Sequence, residues 1–123
     1  MLSEFGKFTR KLRIERNELL SHMAEKLNVS SSFLSAVENG RKSVPNKWID
    51  SIKNIYDLSS KESLDLDKAY LDSVNSISLN IENKNKEDKE IILSFARKFD
   101  SLDDKLKEEL KNIFETIGGY NEL

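Results

Sequence analysis

A single histidine, His22, and no cysteine leave no pair of imidazole or thiolate ligands for a metal site and no Cys nucleophile. One histidine on a helix is ordinarily a surface or packing residue. Asp65, Asp67 and Asp72 alternate with apolar and basic residues and lack the glycine and ligand spacing of a calcium loop. Gly118 and Gly119 stand too late in the sequence to cradle a phosphate ahead of a helix. The expectation is a protein with no catalytic residue, no metal and no cofactor. What remains is binding chemistry. Between Ser31 and Asn39, the positions turned away from Phe33, Leu34 and Val37 are Ser31, Ser32, Ser35, Ala36 and Asn39, a row of hydroxyls and one carboxamide, and Arg41 and Lys42 follow at once.

These residues need helices to place them. Phe5, Phe8 and Leu12 follow helical spacing behind Ser3 as a cap, which gives a first helix. Asn17 is the expected cap of a second helix running to about Leu27, with Leu20, Met23, Ala24 and Leu27 on one face. Asn28 occupies a sharp turn that calls for positive φ, Ser30 caps a third helix over 31–39, and Gly40 ends it. Pro45 and Asn46 break and cap before a fourth helix carrying Trp48, Ile49, Ile52, Ile55 and Tyr56. Ser59 and Glu62 fit a capping box for a fifth helix through Val74. Residues 76 to 81 alternate strictly between polar and apolar, the pattern of a half-buried strand. After a linker, NKNKED, the set Ile91, Ile92, Phe95, Phe99, Leu102, Leu106, Leu110, Ile113, Phe114 and Ile117 predicts two helices within about 87–117, divided near Asp100 and recapped by Ser101, with Gly118 and Gly119 as the stop.

The fold class expected is therefore mostly α: a helical bundle over 1–58, then a tail over 59–123 with one short strand. The 37% hydrophobic content suffices for a modest core without disulfides. No run approaches a membrane span, the start MLSEFGKFTRKL lacks the features of a signal peptide, and a cytoplasmic location is expected, at the nucleoid when DNA is bound. The net charge of -2, taken as a total, speaks against nucleic acid. It is a sum of unlike parts, because residues 1–58 carry 10 Lys or Arg and 7 Asp or Glu, whereas 59–123 carry 10 and 15.

Two short helices joined by a tight turn and flanked by others form the layout that sets a recognition helix in the DNA major groove. The stretch MAEKLNVSSSFLSAVENGRKSVP resembles the Xre-type, phage-repressor-like helix-turn-helix family at Met23, Ala24, Leu27, Asn28, Val29, Ser30, Leu34, Val37, Glu38, Gly40 and Arg41. The resemblance covers roughly residues 4 to 58. It implies a lambda-repressor-like bundle in which Ala24 keeps the second and third helices close, Val29 and Val37 lie in the core, and Glu38 pairs with Arg13, aiming a guanidinium edge at phosphate. It also implies base contacts from Ser31, Ser32, Ser35, Ala36 and Asn39. Seryl hydroxyls suit several base edges, Ala36 a thymine methyl, and Asn39 a bidentate contact to adenine. Arg10, Arg41, Lys42 and Lys47 are the implied phosphate contacts, with Lys7 and Arg16 in weaker positions. Leu19 and Leu20 depart from the family, which commonly has a polar pair there that anchors the helix on the DNA backbone.

A lone amphipathic strand leaves its hydrogen-bonding groups unmatched, so Ile77, Leu79 and Ile81 are expected to pair with the same segment of a second copy. Such a homodimer reads the two halves of a palindromic operator in double-stranded DNA. The function expected is a sequence-specific transcriptional repressor. The alternative is a protein-binding inhibitor, an antitoxin or a mobile-element inhibitor of host defence, whose acidic tail holds a toxin or host-defence protein. No membrane partner is expected.

Overall fold

The computed structural model describes residues 1–117; Gly118 and Gly119, the expected helix stop, lie outside them. The chain divides into two compact units, Met1–Ser78 and Leu79–Leu123. The first holds α1 (Glu4–Glu15), α2 (Leu20–Lys26), α3 (Ser31–Glu38), α4 (Lys47–Ile55) and α5 (Ser60–Ser73). The second holds α6 (Lys86–Lys98), a 3-10 turn (Phe99–Ser101) and α7 (Asp104–Ile117). The protein is mostly helical, and no helix among the described residues is long and apolar enough to cross a membrane.

Local chemistry sets most helix ends in the first unit. Ser3, Ser30 and Ser59 accept from the backbone N–H groups of Gly6, Phe33 and Glu62, so each seryl oxygen satisfies a donor that the first helical turn leaves free. Glu62 completes the capping box by accepting from Ser59 N–H at 3.0 Å. Asn28 (φ 62°) and Gly40 (φ 75°) take the left-handed conformation where the chain must leave α2 and α3. Asn17 departs from its expected role as a cap. It is itself left-handed, at φ 54°, and α2 starts behind Leu19, whose N–H donates to His22 Nδ1 at 3.0 Å. A left-handed residue ends one helix and cannot serve as the extended cap of the next.

The core gathers Phe5, Leu12, Met23, Leu34, Val37, Trp48 and Ile52. Trp48 lies between two phenyl rings, tilted against Phe5 at 6.2 Å and edge-on to Phe33 at 5.8 Å. Helix α5 belongs to this core, which moves the boundary expected at 58 out to 78. Leu66 is fully buried, the Phe5 N–H donates to Ser73 Oγ at 2.9 Å, and Lys53 pairs with Asp67 at 2.8 Å. Periodicity marks α5 as amphipathic without saying which helix it covers.

The expected strand is absent: residues 76–81 form no ladder, and Ile77 and Leu79 stand 72% and 64% exposed. Alternation supplies a face but not the partner that a ladder requires. Instead Asn80 Oδ1 accepts from Glu82 N–H at 3.0 Å and Ile81 O from Lys84 N–H at 3.1 Å, two local turns that end the extended run. Half of the expected linker is helix, since Asn85 caps α6 through Asp88 N–H at 2.8 Å. The division near Asp100 is present, but Asp103 rather than Ser101 caps α7, accepting from Leu106 N–H at 2.8 Å. Ser101 is spent inside the 3-10 turn.

Candidate nucleic-acid interface

Helix α3 is fixed from beneath. Glu38, at its last turn, is buried and accepts from Arg13 through both carboxylate oxygens, Nη1 to Oε2 and Nη2 to Oε1, the second at 3.1 Å. Thr9, also fully buried, donates its hydroxyl to the same carboxylate. Glu38 is held through its backbone as well: its carbonyl accepts from Ser3 N–H at 2.9 Å and from Ser3 Oγ at 3.0 Å. One residue of α3 thus takes up the N-terminus of α1 and two side chains of its inner face. Gly6 makes the approach possible, because a Cβ there would lie 2.2 Å from the Glu38 carbonyl oxygen.

The bidentate pair of Arg13 and Glu38 is present as expected, but its orientation differs. The guanidinium is enclosed, with Nη1 also against Met23 Sδ at 3.3 Å, so it presents no edge to phosphate. A buried charge is kept by partners that use its donors, and here those partners are internal. Sequence reading did not single out Thr9, Ser3 or Gly6 for this junction. A hydroxyl four residues before Arg13, and a glycine one residue after the apolar Phe5, were the available signals.

The outer face of α3 is open. Ser31 and Ser32 are exposed, and Ser35 and Ala36 are half-buried. Ala24 is buried and Val29 packs on the core. Asn39 is half-buried, and one of its two Nδ2 hydrogens is committed to Ser35 O at 2.9 Å. The loop that follows is tied to the same helix, since Arg41 and Lys42 N–H both donate to Ala36 O, at 2.9 and 3.3 Å.

The cations sort by position. Arg13, Arg16, Lys26 and Lys53 are spent on Glu38, Glu62, Glu18 and Asp67. Arg16 also donates to Tyr56 O at 3.3 Å, and Lys7 pairs with Glu4 at 3.2 Å, so neither of these weaker candidates is unengaged. Arg10, Arg41, Lys42 and Lys47 are exposed and make no ion pair among the described residues. Leu19 is 65% exposed, while Leu20 packs partly on the core.

Away from α3, Glu18 joins the end of α4 to α2. Tyr56 OH donates to Glu18 Oε1 at 2.6 Å, Lys26 pairs with the other oxygen, and Lys26 Nζ lies 4.8 Å from the Tyr56 ring centroid. Burial pushes the Glu18 carboxyl upward, but the hydrogen bonds from Lys26 and Tyr56 outweigh it and hold it below the usual range. Burial and the adjacent carboxylate push the Tyr56 hydroxyl well up. The Ser59 backbone N–H, assisted by Arg16, lowers Glu62. Compared with protein-family models, with curated proteins and with solved structures, the chain gives no match.

Proposed function

We propose that the chain is a sequence-specific DNA-binding regulator, a homodimeric repressor that inserts α3 into the major groove at each half of a palindromic operator. One observation carries this reading. Helix α3 is locked by its inner face through Glu38, its outer face of Ser31, Ser32 and Ala36 is left open, and Arg41 and Lys42, which make no ion pair among the described residues, follow directly. A rigid helix with a free polar face and cations at its exit suits base contacts framed by phosphate contacts. Ser31, Ser32, Ser35 and Ala36 read base edges, the last through a thymine methyl. Arg10, Arg41, Lys42 and Lys47 neutralise phosphate. No Arg or Lys stands among the base readers, so part of the selectivity comes from DNA shape and half-site spacing. The likeness of residues 23–41 to the Xre-type pattern supports the same assignment.

Selection from a random duplex library, followed by gel shifts across a salt series, tests the proposal. A palindromic consensus is expected. Ser32→Ala should weaken the consensus by about 1–3 kcal/mol while sparing random duplex, whereas Arg41→Gln should weaken both and shallow the salt slope by roughly one. A salt-labile smear with no consensus would sink the proposal and turn attention to a protein partner.

A further inference from the structure

We infer that the α6–α7 hairpin is a self-association surface whose occupant is the hairpin of a second copy, the two forming a four-helix bundle. Among the described residues the hairpin contains none that is buried. Its helices are 13 and 14 residues long, near the length at which isolated helices are marginal in water. Yet both are regularly amphipathic and well capped, and their apolar positions form continuous rows. Ile91, Phe95, Leu106, Ile113, Phe114 and Ile117 lie between 43% and 74% exposed. Between the helices runs a groove lined by Phe95, Leu102, Leu106, Leu110 and Ile113, with Lys98 and Glu109 at its polar positions.

The area identifies the occupant. Taking about 200 Å² for a fully exposed large side chain, these six offer on the order of 700 Å² per copy, and two copies approach the roughly 1,600 Å² of a standard stable interface. The charge agrees. The hairpin over 86–117 carries 7 Lys or Arg and 9 Asp or Glu, nearly balanced, whereas a surface for a basic partner would be dominantly acidic. Lys98 and Glu109 place both signs beside the groove, as a self-complementary, two-fold contact needs. Amphipathic helices with such rows bury them against the matching rows of a partner, as in helical bundles. The inference deepens the homodimer of the proposed function and is independent of whether that dimer binds DNA.

Sedimentation equilibrium of the full chain from 1 to 100 µM tests it, with Trp48 fluorescence and circular dichroism read on the same samples. The expected wild-type mass is twice 14.2 kDa. Phe114→Glu and Ile91→Lys introduce good helix formers, so each leaves intrinsic helix preference intact while charging the apolar row. Each should raise the dimer dissociation constant at least tenfold, with the Trp48 unfolding midpoint unchanged. Leu79→Pro, which would break a dimer paired through residues 76–81, should leave the doubled mass. A wild-type monomer at 100 µM, or a full-strength Phe114→Glu dimer, overturns the inference. Gel shifts of the same variants keep the two proposals apart: a hairpin dimer that selects no duplex refutes only the regulator, and an undiminished dimer of Phe114→Glu that still binds its duplex refutes only the hairpin.

Discussion

The two units are built from helices of similar quality and differ in what those helices cover. In Met1–Ser78, capped amphipathic helices close around Phe5, Met23, Leu34, Ile52 and Leu66, and one buried ion pair is wrapped in hydrogen bonds. In the second unit Asn85 and Asp103 cap α6 and α7 as well as serines do in the first, and α6 and α7 still bury nothing. Caps and periodicity therefore specify a helix and its apolar face, and leave open whether the chain itself supplies the cover. The first unit is self-sufficient. The second has a face prepared for a surface outside its own fold.

The strongest way to break this comparison is to open the buried lock. Arg13→Ala leaves the Glu38 carboxylate enclosed with only Thr9, and should cost the first unit about 3–5 kcal/mol in urea unfolding followed by Trp48 fluorescence. The paired replacement Arg13→Met with Glu38→Leu should recover much of that loss. If the single change costs under about 1 kcal/mol, the lock does not hold α3. Next in size, Leu66→Ala should remove about 2–5 kcal/mol from the same transition, whereas exposed Leu64→Ala should stay within about 0.5 kcal/mol. Equal effects of the two would return α5 to the rear of the chain.

Caps sharpen the contrast at a finer scale. Ser30→Ala should lower the Trp48 transition by about 1 kcal/mol. Asn85→Ala should leave that transition alone and appear only in the helix signal of the second unit, most clearly on dilution. The smallest expected effect is acid sensitivity. Glu18 and Glu62 are held below the usual carboxylate range, so the stability they add is present above a pH of about 4.3 and is lost as pH falls through their lowered values. Trp48-monitored unfolding at pH 7 and pH 3 should show the decline, and Glu18→Gln together with Glu62→Gln should reduce it. A pH response that survives both replacements unchanged would place its origin elsewhere.

Much of the first unit was legible in the sequence because its signals are local. Ser30, Asn28 and Gly40 each do what their side chains or φ preferences dictate within four residues of themselves. The Arg13–Glu38 pair was legible only through a resemblance, since nothing local joins positions 25 residues apart. Other features resisted for physical reasons. Asn17 satisfies two rules, cap and left-handed turn, and the tertiary path selected the second. The alternation over 76–81 describes a strand whose partner the pattern cannot provide, and Asn80 turned the chain first. The place of α5 is a matter of which helix face lies opposite Leu66, which periodicity leaves blank. At the candidate interface, the exposure of Ser31 and Ser32 agrees with the reading, while the bond from the Asn39 amide back to Ser35 O depended on a competition between its own helix and solvent.

The bond from Phe5 N–H to Ser73 Oγ spans 68 residues and has a consequence for biosynthesis. A ribosome adding about 5–20 residues per second emits Ser73 some 3 to 14 seconds after Phe5. Until then α1 lacks the cover of α5, and the base on which α3 is set stays unfinished. Helices α6 and α7 emerge after α5. A nascent chain is thus ordered so that its first unit can close before α6 and α7 have emerged, which separates the folding of one unit from that of the other in time.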